Sequence, residues 1–184
     1  MRWFWIDRFI EFESGHRAVA VKNVTLSEDH LHDFFPGYPT LPGSLVIEGI
    51  AQTAGILIGE VNRFEERVVL AKVSKAVFHF HPVPGDTLRY TTIMEECKPD
   101  GAIIRGTCHL DDKLQAEVDL FFAHLDHRIE EQLFKPAEFL RMLRLFRLFE
   151  VGRNPDGTRL QIPQDLLDAE QATNAANTVD IAES

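Results

Sequence analysis

Glu48 and Gln52 stand four residues apart within Leu45-Val46-Ile47-Glu48-Gly49-Ile50-Ala51-Gln52. Four is the spacing that brings two side chains onto one face of a helix. A carboxyl group among apolar neighbours is costly unless it is paired, hydrogen-bonded or protonated, so it needs a reason to be there. One reason is general acid–base chemistry, with the amide orienting the acid or a substrate oxygen. The other is structural: a carboxylate bonded to a neighbouring backbone or side-chain group. Immediately upstream, Pro36, Pro39 and Pro42 stiffen the approach, and Pro42 suits the first helical position, where a missing N–H costs nothing. Gly43 then falls at the helix start, where N–H groups lack intrahelical partners and the dipole is positive. A carbonyl oxygen placed there would be polarised, as in an oxyanion hole.

The elements that must position these residues follow from hydrophobic period and turn chemistry. A strand is expected from about Trp3 to Glu13, a turn at Ser14-Gly15 and a second strand from His16 to Val24. Ser27-Glu28-Asp29 opens a short turn or helix. An apolar helix from Pro42 to about Val61 is greasy almost all round, which predicts a helix buried inside a domain. Four strands follow, Arg67 to Phe80, Asp86 to Cys97, Ala102 to Leu110 and Lys113 to Leu125, with turns at Pro82-Val83-Pro84-Gly85, Lys98-Pro99-Asp100-Gly101 and Asp111-Asp112. One long helix followed by an antiparallel meander predicts an α+β domain, a curved sheet wrapped around a central helix.

Residues 1–128 are read as that domain, 129–151 as a helical extension and 152–184 as a polar, flexible tail. In the extension a helix is expected from Phe139 to about Phe149. Its Arg141, Arg144 and Arg147 suit either packing on the same domain or at a subunit interface, or a basic face for a membrane surface or acidic partner. The tail is expected to hold at most one short helix near Gln164 to Ala172.

Composition narrows the function classes. A formal net charge of −10 without a basic stripe argues against nucleic acid, while 45% hydrophobic content is that of a soluble globular chain. No apolar run is read as approaching the ~20 residues of a membrane span, and the N-terminus lacks a signal-peptide pattern, so a cytoplasmic protein is expected. Cys97 and Cys108 flank a hairpin roughly 20 Å apart, beyond disulfide reach, and are expected as buried or half-buried thiols. The pairs His30/His32 and His79/His81 lack the acidic or cysteine partners that a catalytic zinc site uses, so no metal is expected.

The loop Phe35-Pro36-Gly37-Tyr38-Pro39-Thr40-Leu41-Pro42-Gly43 and the helix that follows resemble the signature of the bacterial β-hydroxyacyl-[acyl-carrier-protein] dehydratases of the hotdog fold. That signature reads G-H-F-P-x-x-P-x-M-P-G, with an acidic residue five positions on. Ile6-Asp7-Arg8, Lys22-Asn23-Val24-Thr25, Pro84-Gly85-Asp86-Thr87-Leu88 and Asp112-Lys113-Leu114-Gln115-Ala116-Glu117 agree with it too. The resemblance covers roughly Phe4 to Leu125.

The resemblance implies a homodimer, sometimes assembled further, that dehydrates a (3R)-hydroxyacyl chain on acyl carrier protein to the trans-2-enoyl thioester without a cofactor. It implies that Glu48 protonates the leaving hydroxyl, that Gly43, at the end of the Pro42 loop, holds the thioester carbonyl, and that Gln52 lines the polar end. A histidine of the other subunit removes the Cα proton in this family. Here its position is occupied by Phe34, which cannot carry a proton. Three readings follow: His32 substitutes for it, the chain is a binding-only or altered homologue, or an active family member has lost its base with fold and binding intact. A hotdog thioesterase is the remaining alternative. The carrier is acidic, and Arg63, Arg67, Lys72 and Lys75 are the cations expected to meet it.

Overall fold

The computed structural model describes residues 4–125 and 135–182. Trp3, Phe134 and the boundary at 128/129 lie outside the described residues. In chain order the elements are β1 (Arg8–Glu13), β2 (Arg17–Asn23), α1 (His30–Asp33), α2 (Gly43–Val61), β3 (Arg67–Phe78), β4 (Thr87–Lys98), β5 (Gly101–Leu110) and β6 (Lys113–Leu125). The extension adds α3 (Pro136–Leu145), α4 (Leu148–Val151), β7 (Gly152–Arg153) and α5 (Gln164–Ala182). The sheet order is β3-β6-β5-β4-β2-β1-β7, antiparallel throughout except for the β1–β7 pair. Helix α2 packs against β2 through β6, so the expected α+β arrangement of a sheet around a central helix is the one observed.

The seating of α2 is very close at two points. A Cβ on Gly49 would lie 2.4 Å from the buried Tyr90 ring of β4 and 2.9 Å from the Trp5 carbonyl. Conversely, a Cβ on Gly106 of β5 would lie 2.3 Å from a methyl of Ile50. Helix and sheet therefore interlock, each offering a glycine to the other's large side chain. This helix has the length and composition to cross a membrane, contrary to the expectation that no such run exists, but half of it is covered by its own domain.

Several boundaries differ from expectation for visible reasons. Trp5 and Ile6 are buried but precede β1, because the chain there leaves the ladder to cross α2. Pro42 is the N-cap of α2 rather than its first helical residue, with ψ of 140°, and its carbonyl accepts from Leu45 and Val46. The helix expected from Phe139 to Phe149 is broken after Leu145 by Arg147, which adopts a left-handed φ of 61°. Cys108 is buried and pairs across the ladder with Tyr90, but Cys97, opposite Ala102, is exposed. A register shift between Met94 and Glu96 comes just before it in β4.

The extension is tied to the sheet. Phe9 N–H donates to the Phe146 carbonyl at 2.8 Å, Ser14 N–H to the Arg153 carbonyl at 2.9 Å, and Gly152 pairs with Phe12. Helix α5 runs to Ala182, well past the short helix expected near Gln164 to Ala172. Arg144 meets Glu170 at 2.5 Å, Arg141 donates to Asn174 at 3.2 Å, and Arg147 bonds Glu150. Arg141 and Arg144 of α3 thus face α5, and Arg147 the turn of α4, in keeping with packing on the same domain rather than a membrane-facing stripe.

Helix propensity alone would make Gly49→Ala stabilising by roughly 1 kcal/mol. The added methyl instead meets a fully buried ring and a backbone carbonyl, so we expect a net loss of about 1–3 kcal/mol, read from the urea midpoint. An unchanged or raised midpoint would contradict this close seating.

Candidate active site

One face of α2 carries Glu48, Gln52, Gly55 and Gly59 toward an open groove of about 710 Å³. Gln52 Nε2 donates to Glu48 Oε1 at 2.9 Å, while Gln52 Oε1 accepts from the Trp5 backbone N–H, also at 2.9 Å. A backbone N–H can only donate, so Trp5 fixes which end of the amide is oxygen and turns the NH2 toward the acid. The crossing segment ahead of β1 therefore orients the Glu48–Gln52 pair. Glu48 is half-buried rather than buried, which corrects the expectation of a carboxylate enclosed in apolar surroundings. The groove gives it access to water, and that lowers the cost of placing it in an apolar helix.

The groove has three walls. Its floor is the small-residue face of α2, Ala51, Gly55 and Gly59. A second wall comes from Phe122 of β6 and from Val68 and Leu70 of β3. The third is Phe139, Met142 and Phe146 of the extension, with Leu166 of α5 beyond. Glu48 and Gln52 form the polar end, and Glu65, Glu66 and Arg67 the other. A smaller hollow of about 360 Å³ between β1 and the Asn154–Gly157 turn shares no lining residue with it.

The loop leading into α2 is pinned at its second half. Thr40 Oγ1 and Leu41 N–H both donate to the Pro82 carbonyl, at 3.1 and 2.8 Å. Gly43 lies beneath Phe78, whose ring a Cβ would meet at 2.9 Å. The first half of the loop projects outward: Phe34, Phe35 and Tyr38 are 51%, 57% and 58% exposed. Phe34 and the exposed His32 are absent from the walls of the groove that holds Glu48 in the same protomer. The pairing of Glu48 with Gln52 and the position of Gly43 at the helix start are thus observed, while the loop carrying Phe34 points away.

His30 is the residue that sequence reasoning passed over. Its ring stands edge-on to Trp5 at 5.1 Å, and its Nε2 is buried without a hydrogen-bond partner. The only sequence signal was the H-x-H pair; its packing depends on the return of Trp5 across the helix. Nearby, the resemblance residues Asp7, Lys22 and Asn23 meet in one clasp. Buried Lys22 bonds Glu28 at 2.5 Å, and Asn23 donates to Asp7 Oδ2 through both backbone and side chain, at 2.8 and 2.7 Å. Their role in the structure is to bind β2 to the crossing segment and to the turn before α1.

The four candidate cations gather along one edge. Arg67, Lys72 and Lys75 lie on β3, and Arg63 in the turn before it. Lys75 bonds Glu117 at 3.0 Å, a bond that holds the Glu117 carboxyl below its ordinary range. His79 reaches the same carboxylate at 3.5 Å. Among the described residues no group of three His, Cys, Asp or Glu side chains is placed to hold a metal ion.

Residues 3–119 match the FabA-like domain family. The chain belongs to that family. It is 40% identical over 121 residues to a protein of Desulforamulus reducens named 3-hydroxyacyl-[acyl-carrier-protein] dehydratase FabZ, covering 64% of this chain and 84% of the relative. A Koribacter versatilis protein of the same name is 40% identical over 114 residues, 61% of this chain and 73% of the relative. Among solved structures, the dehydratase heterocomplex ApeI:P of Xenorhabdus doucetiae aligns with a TM-score of 0.57 at 16% identity, over 67% of this chain and 84% of that one. The fold is the hotdog, and α3 to α5 lie beyond the matched residues.

Burial pushes the His30 imidazole below its ordinary value, with Lys22 adding to the effect and Glu28 and Asp29 opposing it. The unfolded chain therefore takes up its proton first on acidification. This contribution is complete above the unfolded value of about 6.5 and is lost as pH falls through the lowered folded one. His30→Phe, which keeps a ring against Trp5, should reduce the fall in urea midpoint over that acid range. Parallel pH profiles for the two proteins would show that His30 carries none of it.

Proposed function

We propose that this protein binds (3R)-hydroxyacyl chains carried on acyl carrier protein and retains the acid half of a dehydratase site. The observation that supports this reading is the oriented Glu48–Gln52 pair at the polar end of an apolar groove. In the elimination, a base removes the Cα proton and that electron pair forms the Cα=Cβ bond. The Cβ–O bond breaks, and Glu48 gives its proton to the departing hydroxyl, which leaves as water. Because Glu48 Oε1 accepts from Gln52, the transferable proton belongs on Oε2. Gly43 N–H, at the positive start of α2, would polarise the thioester carbonyl and acidify the Cα proton.

The base is what this chain lacks, since Phe34 stands at the family's histidine position. His32 is exposed on α1, outside the groove of its own protomer, so as a replacement it would have to act across the dimer. We therefore infer slow dehydration, or acyl-carrier binding without turnover, rather than a fully active enzyme. The loop spacing favours this over a thioesterase.

The functional unit is read as a homodimer joined through β3. That strand is a sheet edge and leaves Leu70, Val73, Val77 and Phe78 each more than a third exposed, an edge that a single protomer does not cover. A carrier would meet Arg63, Arg67 and Lys72, whose charge suits its acidic surface. A cytoplasmic location fits these substrates.

Phe34→His should raise the rate of enoyl formation from a 3-hydroxyacyl-carrier thioester by about 10²–10⁴-fold, and Glu48→Gln in that background should remove the gain. Enoyl absorbance, with free thiol followed in parallel, reads both. If neither wild type nor Phe34→His forms enoyl product while both bind the acylated carrier, the binding-only reading holds. Thiol release without enoyl product would favour the thioesterase.

A further inference from the structure

The third wall of the Glu48 groove comes from residues beyond the family match, and its direction can be read from aromatic contacts. Phe139 stacks edge-on with Phe64 at 5.2 Å, and Phe64 lies against Gly59 at the far end of α2. Phe146, seven residues on, stacks with Phe4 at 5.1 Å, next to the Trp5 that bonds Gln52. Helix α3 therefore runs back along the groove from the Gly59 end to the Glu48–Gln52 end. The facing stretch of α2 from Glu48 to Gly59 is roughly 16 Å long at 1.5 Å per residue. This wall is not loosely placed. Its Phe146 carbonyl accepts from Phe9 N–H, and the chain beyond it joins the sheet through β7.

Resting on the reading above, we propose that α3 is a built-in wall of the acyl-chain site, and that Phe139 and Met142 set how long an acyl chain it accepts. The occupant is identified by the chemistry of the groove. An acid–amide pair meets the hydroxyl-bearing end, and aromatic and aliphatic side chains of β3, β6 and α3 lead away from it toward Glu65, Glu66 and Arg67. Gly55 lies on the floor of the groove, beyond the Glu48–Gln52 end. A Cβ there would have only Phe122 near it, at 4.0 Å, so a side chain at this position enters the open groove without backbone collision. Met142, flexible and polarizable, gives the α3 wall an adaptable side chain.

The test measures binding of 3-hydroxyacyl-pantetheine thioesters of short, medium and long chain to the full-length protein by calorimetry, independent of turnover. Wild type should show an affinity that climbs with chain length and then stops. Gly55→Val should weaken the longest accepted chain by about 10- to 200-fold while leaving the shortest unchanged. Phe139→Ala and Met142→Ala should move the limit to longer chains. Gly55→Val adds bulk to an open space, so it tests the idea even if the two truncations fail to fold. A length profile identical in all folded variants would overturn the role of α3 while leaving acyl binding intact. No binding of any thioester by wild type would overturn both readings. A changed monomer–dimer equilibrium with an unaltered length profile would show that a second copy occupies the groove, and would likewise overturn the proposal.

Discussion

The interlock between α2 and the sheet is the constraint on which the rest of the molecule depends. Gly49 admits the Tyr90 ring and Gly106 admits Ile50, so the helix cannot rotate without driving a side chain into backbone or a buried ring. Fixing that rotation decides which face of an almost uniformly apolar helix meets the sheet. The opposite face, with Glu48, Gln52, Gly55 and Gly59, is thereby committed to the groove. A helix this apolar has little amphipathic preference of its own, so steric fit has to supply the orientation that polarity does not.

The site is built outward from that orientation. Trp5 reaches the helix because the chain leaves the ladder before β1, and its N–H sets the Gln52 amide, which in turn sets Glu48. This arrangement is complete within one protomer. The loop that bears Phe34 instead projects from the surface on anchors at Thr40 and Leu41. Two halves of a reaction that sit on separately anchored parts of a chain can be lost separately. The Glu48–Gln52 pair keeps its orienting contacts within one protomer.

Much of this was legible in the sequence because the signals were local. Helix α2 and the hairpins of β4 to β6 followed from period and turn residues, and the Glu48–Gln52 pairing from helical spacing. The half-burial of Glu48 was not, because it depends on a groove whose third wall arrives some ninety residues later in α3. His30 was missed because its environment is made by Trp5, distant in sequence. The helix break at Arg147 carried no proline or glycine, so nothing in the composition marked it. Exposure of Cys97 was also hidden, since the lack of a disulfide partner says nothing of burial and the register shift between Met94 and Glu96 lies just before it.

The aromatic tip of the approach loop bears on the trade between assembly and chemistry. Phe34 and Phe35 stack edge-on at 5.8 Å and remain half exposed, on a loop whose base is held by two hydrogen bonds. Burying one such phenyl ring against a partner surface is worth about 1.5–3 kcal/mol, whereas an imidazole in the same place would bury a polar group needing a hydrogen bond. Phenylalanine at position 34 therefore favours whatever contact covers the loop, and it does so at the position where a proton acceptor would stand.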